Sequence, residues 1–263
     1  MPAAALAPAA TLVVLAGAFA GGRFLAGRLR NFGILDVFWT YGFIVAAAIA
    51  AFTGAGWWPR RVLVAGLMTT WSLRLGTHVL IRVVRSHPRE DPRYGQWRRA
   101  WGRHFLSRMT WFFQLQAGSV VLLSLPLYIA CANGNAGFSP AEVIGAAIVL
   151  TGIGGEALAD HQLSAFRRHP GPGPAVCRRG LWSVSRHPNY FFEWVTWLGL
   201  FCLGLGSPGG AWGLVSPAVI LYFLLGVTGI PMTERQSLAS KGDAFRDYKK
   251  TTSPFIPWFR KSG

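Results

Sequence analysis

Residues 1–22, MPAAALAPAATLVVLAGAFAGG, are apolar without interruption, and the first basic side chains, Arg23, Arg28 and Arg30, come only after them. A secretory leader has the opposite order, basic residues first and a small-residue cleavage site last. About twenty apolar residues cross a bilayer as a helix, so this stretch reads as a membrane span with its N-terminus outside. The whole chain agrees. It has 263 residues, 52% hydrophobic and only 14% charged, against roughly 25% charged in soluble domains. Its mean hydropathy is +0.34, which excludes disorder. Three cysteines exclude a disulfide scaffold.

Six further apolar stretches follow, giving an all-α polytopic membrane protein with spans at 5–27, 34–57, 61–82, 111–132, 140–160, 189–206 and 211–230. The formal charge of +16 tests this count, because Lys and Arg gather on the cytoplasmic side of a membrane. With loops assigned alternately, only Arg60 and Arg61 of the 26 Lys and Arg fall outside, and Arg74 lies in mid-helix. All the others fall inside, Arg260 and Lys261 among them. Seven spans with a cytoplasmic C-terminus are therefore expected, in a bacterial inner membrane and as a single domain over 1–263.

The outside loops CANGNAGFSP (131–140) and GSPGG (206–210) are short and uncharged. The inside loops are long and rich in Arg. Basic residues there orient the chain and meet anionic headgroups, so nucleic acid is not needed to explain the charge. Arg also pairs bidentately with phosphate, where Lys offers a point charge, which makes a phosphorylated cofactor beneath the membrane a candidate.

Ionisable groups within apolar spans are costly, about 2.5–3.5 kcal/mol each at mid-bilayer unless partnered. Asp36, Arg74, His78 and Glu193 stand out, with Glu156 and Asp160 at the end of the fifth span. Arg74 and His78 are four apart on one helical face, as are Glu156 and Asp160. Interhelical salt bridges such as Asp36 with Arg74, or Glu193 with Arg74, are the structural explanation. GIGGEALAD (152–160) has no preceding strand and is no glycine loop. Cys131, Cys177, Cys202 and His104, His161, His169 and His187 have no metal-ligand spacing, so no metal is expected.

The segment RRGLWSVSRHPNYFFEWVTW (178–197) resembles the C-terminal domain of the steroid 5α-reductase family, in its uncharacterised bacterial, DUF1295-like branch. EALADHQLSAFRR (156–168), WSLRLGTHVLIRVV (71–84), EDPRYGQWR (90–98) and FRDYKKTTSPFIPWF (245–259) resemble further parts of the same family. The RHPNY element is shared with isoprenylcysteine carboxyl methyltransferases and sterol reductases. The resemblance implies a seven-helix reductase that binds NADPH on the cytoplasmic side, over about 71–263, and delivers hydride to the β-carbon of a lipophilic enone.

By the same resemblance the cofactor contacts fall on Arg74, His78, Asp160, Arg167, Asn189, Glu193 and Trp197, with Tyr94, His187 and Tyr190 from the neighbouring motif positions. Arg167, Arg179 and Arg186 suit the phosphates. Asn189 and Glu193, on one helical face, suit the carboxamide or ribose. Asp36 is the expected acid at the enone oxygen, since a carboxyl group sequestered from water stays protonated and donates. Trp71 occupies the family's tyrosine position, and its indole N–H donates a hydrogen bond but does not readily give up a proton, so Tyr41 or Tyr94 would substitute. Two other readings stay open, an S-adenosylmethionine-dependent methyltransferase of the isoprenylcysteine type and a non-catalytic lipid-binding or transport protein. Arg186-His187-Pro188 also has a purely local reading as a helix start at the headgroups, with Tyr190 in the aromatic belt.

Overall fold

The computed structural model describes residues 3–169 and 176–259; Arg260 and Lys261 lie outside the described residues. The fold is all-α, as expected. In chain order the helices are α1 (Ala3–Leu29), α2 (Ile34–Thr53), α3 (Trp58–Ser86), α4 (Pro92–Trp101), α5 (Phe105–Leu123), α6 (Leu125–Ala132), α7 (Pro140–Arg168), α8 (Pro188–Leu205), α9 (Val215–Tyr222), α10 (Ile230–Lys241) and α11 (Asp243–Thr251). They form two compact units, one of residues 1–142 with 203–213, the other of 143–202 with 214–263.

In the first unit α2 packs against α1 and α3, and α1 against α5. Small residues permit the approach. Ala46, Ala47 and Ala50 of α2 are fully buried, Gly22 faces the Phe38 ring, and a Cβ at Gly76 would stand 2.6 Å from the Tyr41 ring. Without a hydrophobic drive between helices in lipid, such close packing supplies much of the association. Phe19, Phe32 and Phe113 interlock edge-to-face beneath it. Helix α1 ends in a Schellman turn, with the amide of Asn31 donating to Ala26 O at 3.1 Å and Arg30 in the left-handed region at φ 50°.

Among the described residues five helical stretches are long and apolar enough to cross a bilayer: Leu6–Leu29, Ile34–Thr53, Pro92–Ala132, Pro140–Arg168 and Gly210–Lys241. Leu12, Val13, Phe52, Trp111 and Leu115 are exposed on them, and apolar surface on this scale marks a lipid-facing protein. The expected spans at 61–82 and 189–206 are helical, within α3 and α8, but are not among the five. The reason is compositional: α3 carries Arg74, His78 and Arg82, and the first two turns of α8 carry Asn189 and Glu193. The stretch Gly210–Lys241 is not one regular helix, since Phe223–Val227 takes π-helical form before Gly229 and Pro231.

Candidate functional site

In the second unit α7 and α8 cross with their backbones in contact. A Cβ on Gly152 would lie 2.3 Å from Thr196 Oγ1 and 2.7 Å from its amide nitrogen; one on Gly155 would enter the Phe192 ring, and one on Gly199 would lie 2.6 Å from Val149 N. Each step back along α7 is matched by a step forward along α8, which is an antiparallel register. The GIGG run is thus a packing surface inside a helix. Continued by two turns, that register brings Asp160 to Asn189, whose Nδ2 donates to Asp160 Oδ1 at 3.3 Å. Glu156, 3% exposed, and Glu193 lie one turn from this pair on their respective helices. Trp197, one turn beyond Glu193, is fully buried. Asn189 Oδ1 is buried and accepts no hydrogen bond.

The RGLW turn folds over the end of α7. Gly180, at φ 56°, sits against the Gln162 carboxamide where a Cβ would clash at 2.4 Å. Gln162 Oε1 accepts from Leu181 N at 2.9 Å, and the Trp182 indole donates to Ala159 O at 2.9 Å. Arg179 is left exposed, as is Arg167 at the end of α7. Neither has a carboxylate partner among the described residues.

Arg186 and His187 are both buried, at 7% and 4% exposure, and their side chains are engaged within the protein rather than at the headgroups. Arg186 Nε donates to Glu234 Oε1 at 2.8 Å, with Nη2 also 2.8 Å from that oxygen, and Nη1 donates to Lys249 O at 3.2 Å and to Thr252 O. Lys249 Nζ stands 2.7 Å from Glu234 Oε2. The guanidinium is saturated by α10, α11 and the chain beyond them. The same segment is held through its backbone, with Arg186 N donating to Ser253 O at 2.8 Å and Trp258 N to Val184 O at 3.0 Å. Tyr248, whose hydroxyl donates to Trp182 O, has its phenol pushed well above the usual range by burial. His187 stacks on Tyr190 with ring centroids 5.3 Å apart. Its Nε2 is 3.5 Å from Glu234 Oε1, too poorly aligned for a hydrogen bond. Burial lowers the His187 pKa, outweighing the neighbouring carboxylate. The Tyr190 hydroxyl is 3.0 Å from Thr233 Oγ1.

In the first unit Asp36 is not sequestered. Its Oδ2 is 2.9 Å from Arg93 Nη2 and 3.5 Å from Arg82 Nη2, with 26% of the side chain exposed. The interhelical ion pair of Asp36 is thus made with Arg93. Arg93 also binds Asp91, which caps α4 by accepting from Arg93 N at 2.9 Å. Burial pushes the Asp91 carboxyl upward, but the hydrogen bonds and charge of Arg93 prevail and hold it below its ordinary value. Glu90 accepts from Phe32 N at 3.2 Å and from Arg98 at 3.1 Å. Tyr94 is 1% exposed between Phe32 and Trp97. EDPRY thus staples α4 to the start of α2, and Tyr94 belongs to the core. Trp71 is fully buried, edge-to-face with Phe43 at 5.3 Å. Arg74 and His78 lie half-buried on the Trp71 face of α3, and the Tyr41 hydroxyl is 3.2 Å from Thr77 Oγ1.

Sequence reasoning missed Glu234, Lys249 and Arg93, the partners of motif residues. An available signal was the single acid in the run IPMTERQ, at the end of an otherwise apolar stretch. Arg60, expected on the outer side of the membrane, is 2% exposed and donates to Glu142 and to the carbonyls of Asn133, Asn135 and Gly137, organising that loop. Comparison with curated proteins and with solved structures gives no match. The family model described as protein of unknown function (DUF1295) matches residues 24–252. That is most of the chain, with α2 to α11 and both motif regions included, and the protein belongs to the DUF1295 family.

Proposed function

We propose that this chain is a seven-span membrane reductase, with its N-terminus outside and its C-terminus in the cytoplasm, that uses NADPH to reduce a carbon–carbon double bond of a lipophilic enone. The observation that carries the proposal is the buried, unpaired Asn189 Oδ1 beside Asp160 at the end of the glycine-packed α7–α8 seam. An orphaned buried acceptor costs about 1–3 kcal/mol, and sites that bind donors are where such a cost is retained. Ribose hydroxyls and the carboxamide NH2 of a nicotinamide are donors of the right kind, so the acceptor set fits. Arg167 and Arg179, exposed and without a carboxylate partner among the described residues, complement phosphate oxygens. Glu156 and Glu193 supply further acceptors on the same two helices.

When bound, NADPH would supply the hydride. The protein's share is to orient its donors on Asn189 and Asp160 and to wall the seam from water with Trp197. Negative charge would develop on the enone oxygen, and a donor there would lower the barrier. Asp36 is the residue the family resemblance implies for this role. In the structure its carboxyl is held by Arg93, so that role would need this contact to open.

Thermal unfolding in detergent with NADPH, NADH or S-adenosylmethionine tests the reading. NADPH should raise the midpoint, and Asn189→Ala should weaken its binding about tenfold, while Asp36→Asn should keep binding and lose turnover. Stabilisation by S-adenosylmethionine alone would replace the reductase reading with the methyltransferase one.

A further inference from the structure

The first unit carries a concentration of positive charge that has no carboxylate partner among the described residues. The residues 1–35 and 92–141 contain no Asp or Glu, yet they place Arg23 and Arg28 on α1, Arg99 on α4 and Arg108 on α5, with Arg30 just after α1 and Arg103 between α4 and α5. None of the six has a carboxylate within ion-pair distance among the described residues. Arg23 is fixed on the α1–α5 contact, with Nε donating to Thr110 Oγ1 at 3.1 Å and Nη2 to Leu106 O at 3.4 Å. These bonds occupy two of its five N–H groups. Arg103, exposed, lies one turn before Leu106, and its Nε is 3.2 Å from His104 Nε2.

The surroundings say which anion would balance this charge. Within WRRAWGRHFLSRMTW (97–111), Trp97 and Trp101 stack at 5.2 Å and Arg108 lies 5.6 Å over the Trp101 ring. Indoles among arginines mark the depth at which headgroups meet acyl chains. Phe24 and Leu25 on α1, and Leu106, Trp111 and Leu115 on α5, are exposed apolar side chains on the same two helices. A soluble anion would have no use for them, whereas an acyl chain would.

We propose that the α1–α5 corner, built on Arg23 and Arg103, binds the phosphate of an anionic membrane phospholipid. It uses none of the residues assigned to NADPH above and does not rest on the reductase reading.

The test uses delipidated full-length protein in a neutral detergent, titrated with phosphatidylglycerol, phosphatidylcholine or inorganic phosphate while the unfolding midpoint is read. Phosphatidylglycerol alone should raise the midpoint. Arg23→Gln with Arg103→Gln should weaken its apparent affinity about thirtyfold, from about one headgroup interaction's worth per arginine, while Arg167→Gln with Arg179→Gln leaves it unchanged. The proposal is overturned if phosphatidylglycerol gives no shift, if phosphatidylcholine or inorganic phosphate gives the same shift, or if the Arg23/Arg103 variant keeps wild-type affinity. Should the double variant fail to fold, Arg103→Gln alone, an exposed change, decides on the same criteria.

Discussion

Replacing Arg186 by Met separates a structural clamp from a cofactor contact. In the structure the guanidinium pairs with Glu234 and donates to the carbonyls of Lys249 and Thr252 while only 7% exposed. Methionine fills a similar volume but leaves two carbonyls without that donor and removes one of the two cations on Glu234. Stripping one partner from a buried ion pair costs about 3–5 kcal/mol. Lys249 stays 2.7 Å from Glu234, so the lower end, about 3 kcal/mol, is expected. For a chain of this size that is a fall in midpoint of about 6–12 °C. Arg186→Lys restores the charge but cannot reach both carbonyls and the carboxylate, and should lose about half as much. The assay is thermal unfolding in detergent followed by tryptophan fluorescence, with NADPH affinity measured well below the midpoint. A clamp predicts a lowered midpoint and unchanged affinity of the folded protein. A wild-type midpoint combined with lost NADPH affinity would refute this reasoning and return Arg186 to the phosphate role.

Three further outcomes are expected. Burial lowers the His187 pKa from 6.5, so the unfolded chain takes up a proton that the folded one resists; stability should fall as pH drops below about 6.5, with a limiting slope of about 1.4 kcal/mol per unit. Melts at pH 5.5 and 7.5 should show a smaller pH difference for His187→Gln. Arg30 holds φ 50° without being glycine, so Arg30→Gly should stabilise the chain by about 1 kcal/mol, read as a rise in midpoint; no rise would mean that the Arg30 side chain makes up the strain. Gly152→Val should destabilise by at least about 1–3 kcal/mol, because its Cβ would meet Thr196 backbone at 2.7 Å, and an unchanged midpoint would contradict the close α7–α8 contact.

Helix content was legible because twenty-residue apolar runs have few other uses, and α1, α2 and α7 fall where the runs predict. The motifs were legible as special but not for what they do. RHPNY reads as a row of ligand-binding side chains because Arg, His, Asn and Tyr are all hydrogen-bonding groups. Only the fold shows that Arg186 and His187 turn inward to Glu234, nearly fifty residues away, while Asn189 turns toward Asp160. Sequence spacing fixes which residues share a helical face and carries no information about the opposing element. EDPRY behaves likewise, since Asp91 caps its own helix locally but Arg93 reaches Asp36 across 57 residues. The GIGG run was correctly denied a loop, and its function in packing becomes visible only with Thr196 and Phe192 set against it.

The formal +16 divides along the same line. Arg60, Arg93, Arg98 and Arg186 are joined to Glu142, Asp36 and Asp91, Glu90, and Glu234 respectively. Those carboxylates are consumed inside the chain, and Asp243 and Asp247 are consumed by Arg246 and Lys250 beside them. With ten acids against 26 bases, the acids cannot match the bases one for one, and Arg23, Arg103, Arg167 and Arg179 have no carboxylate within ion-pair distance among the described residues. Buried pairs are poorly screened and exposed ones strongly so. Raising salt should therefore leave the Arg186 and Arg60 clusters intact while weakening whatever Arg23, Arg103, Arg167 and Arg179 hold. Stability and partner binding in this protein should separate by ionic strength, because the two sets of arginines differ in burial rather than in charge.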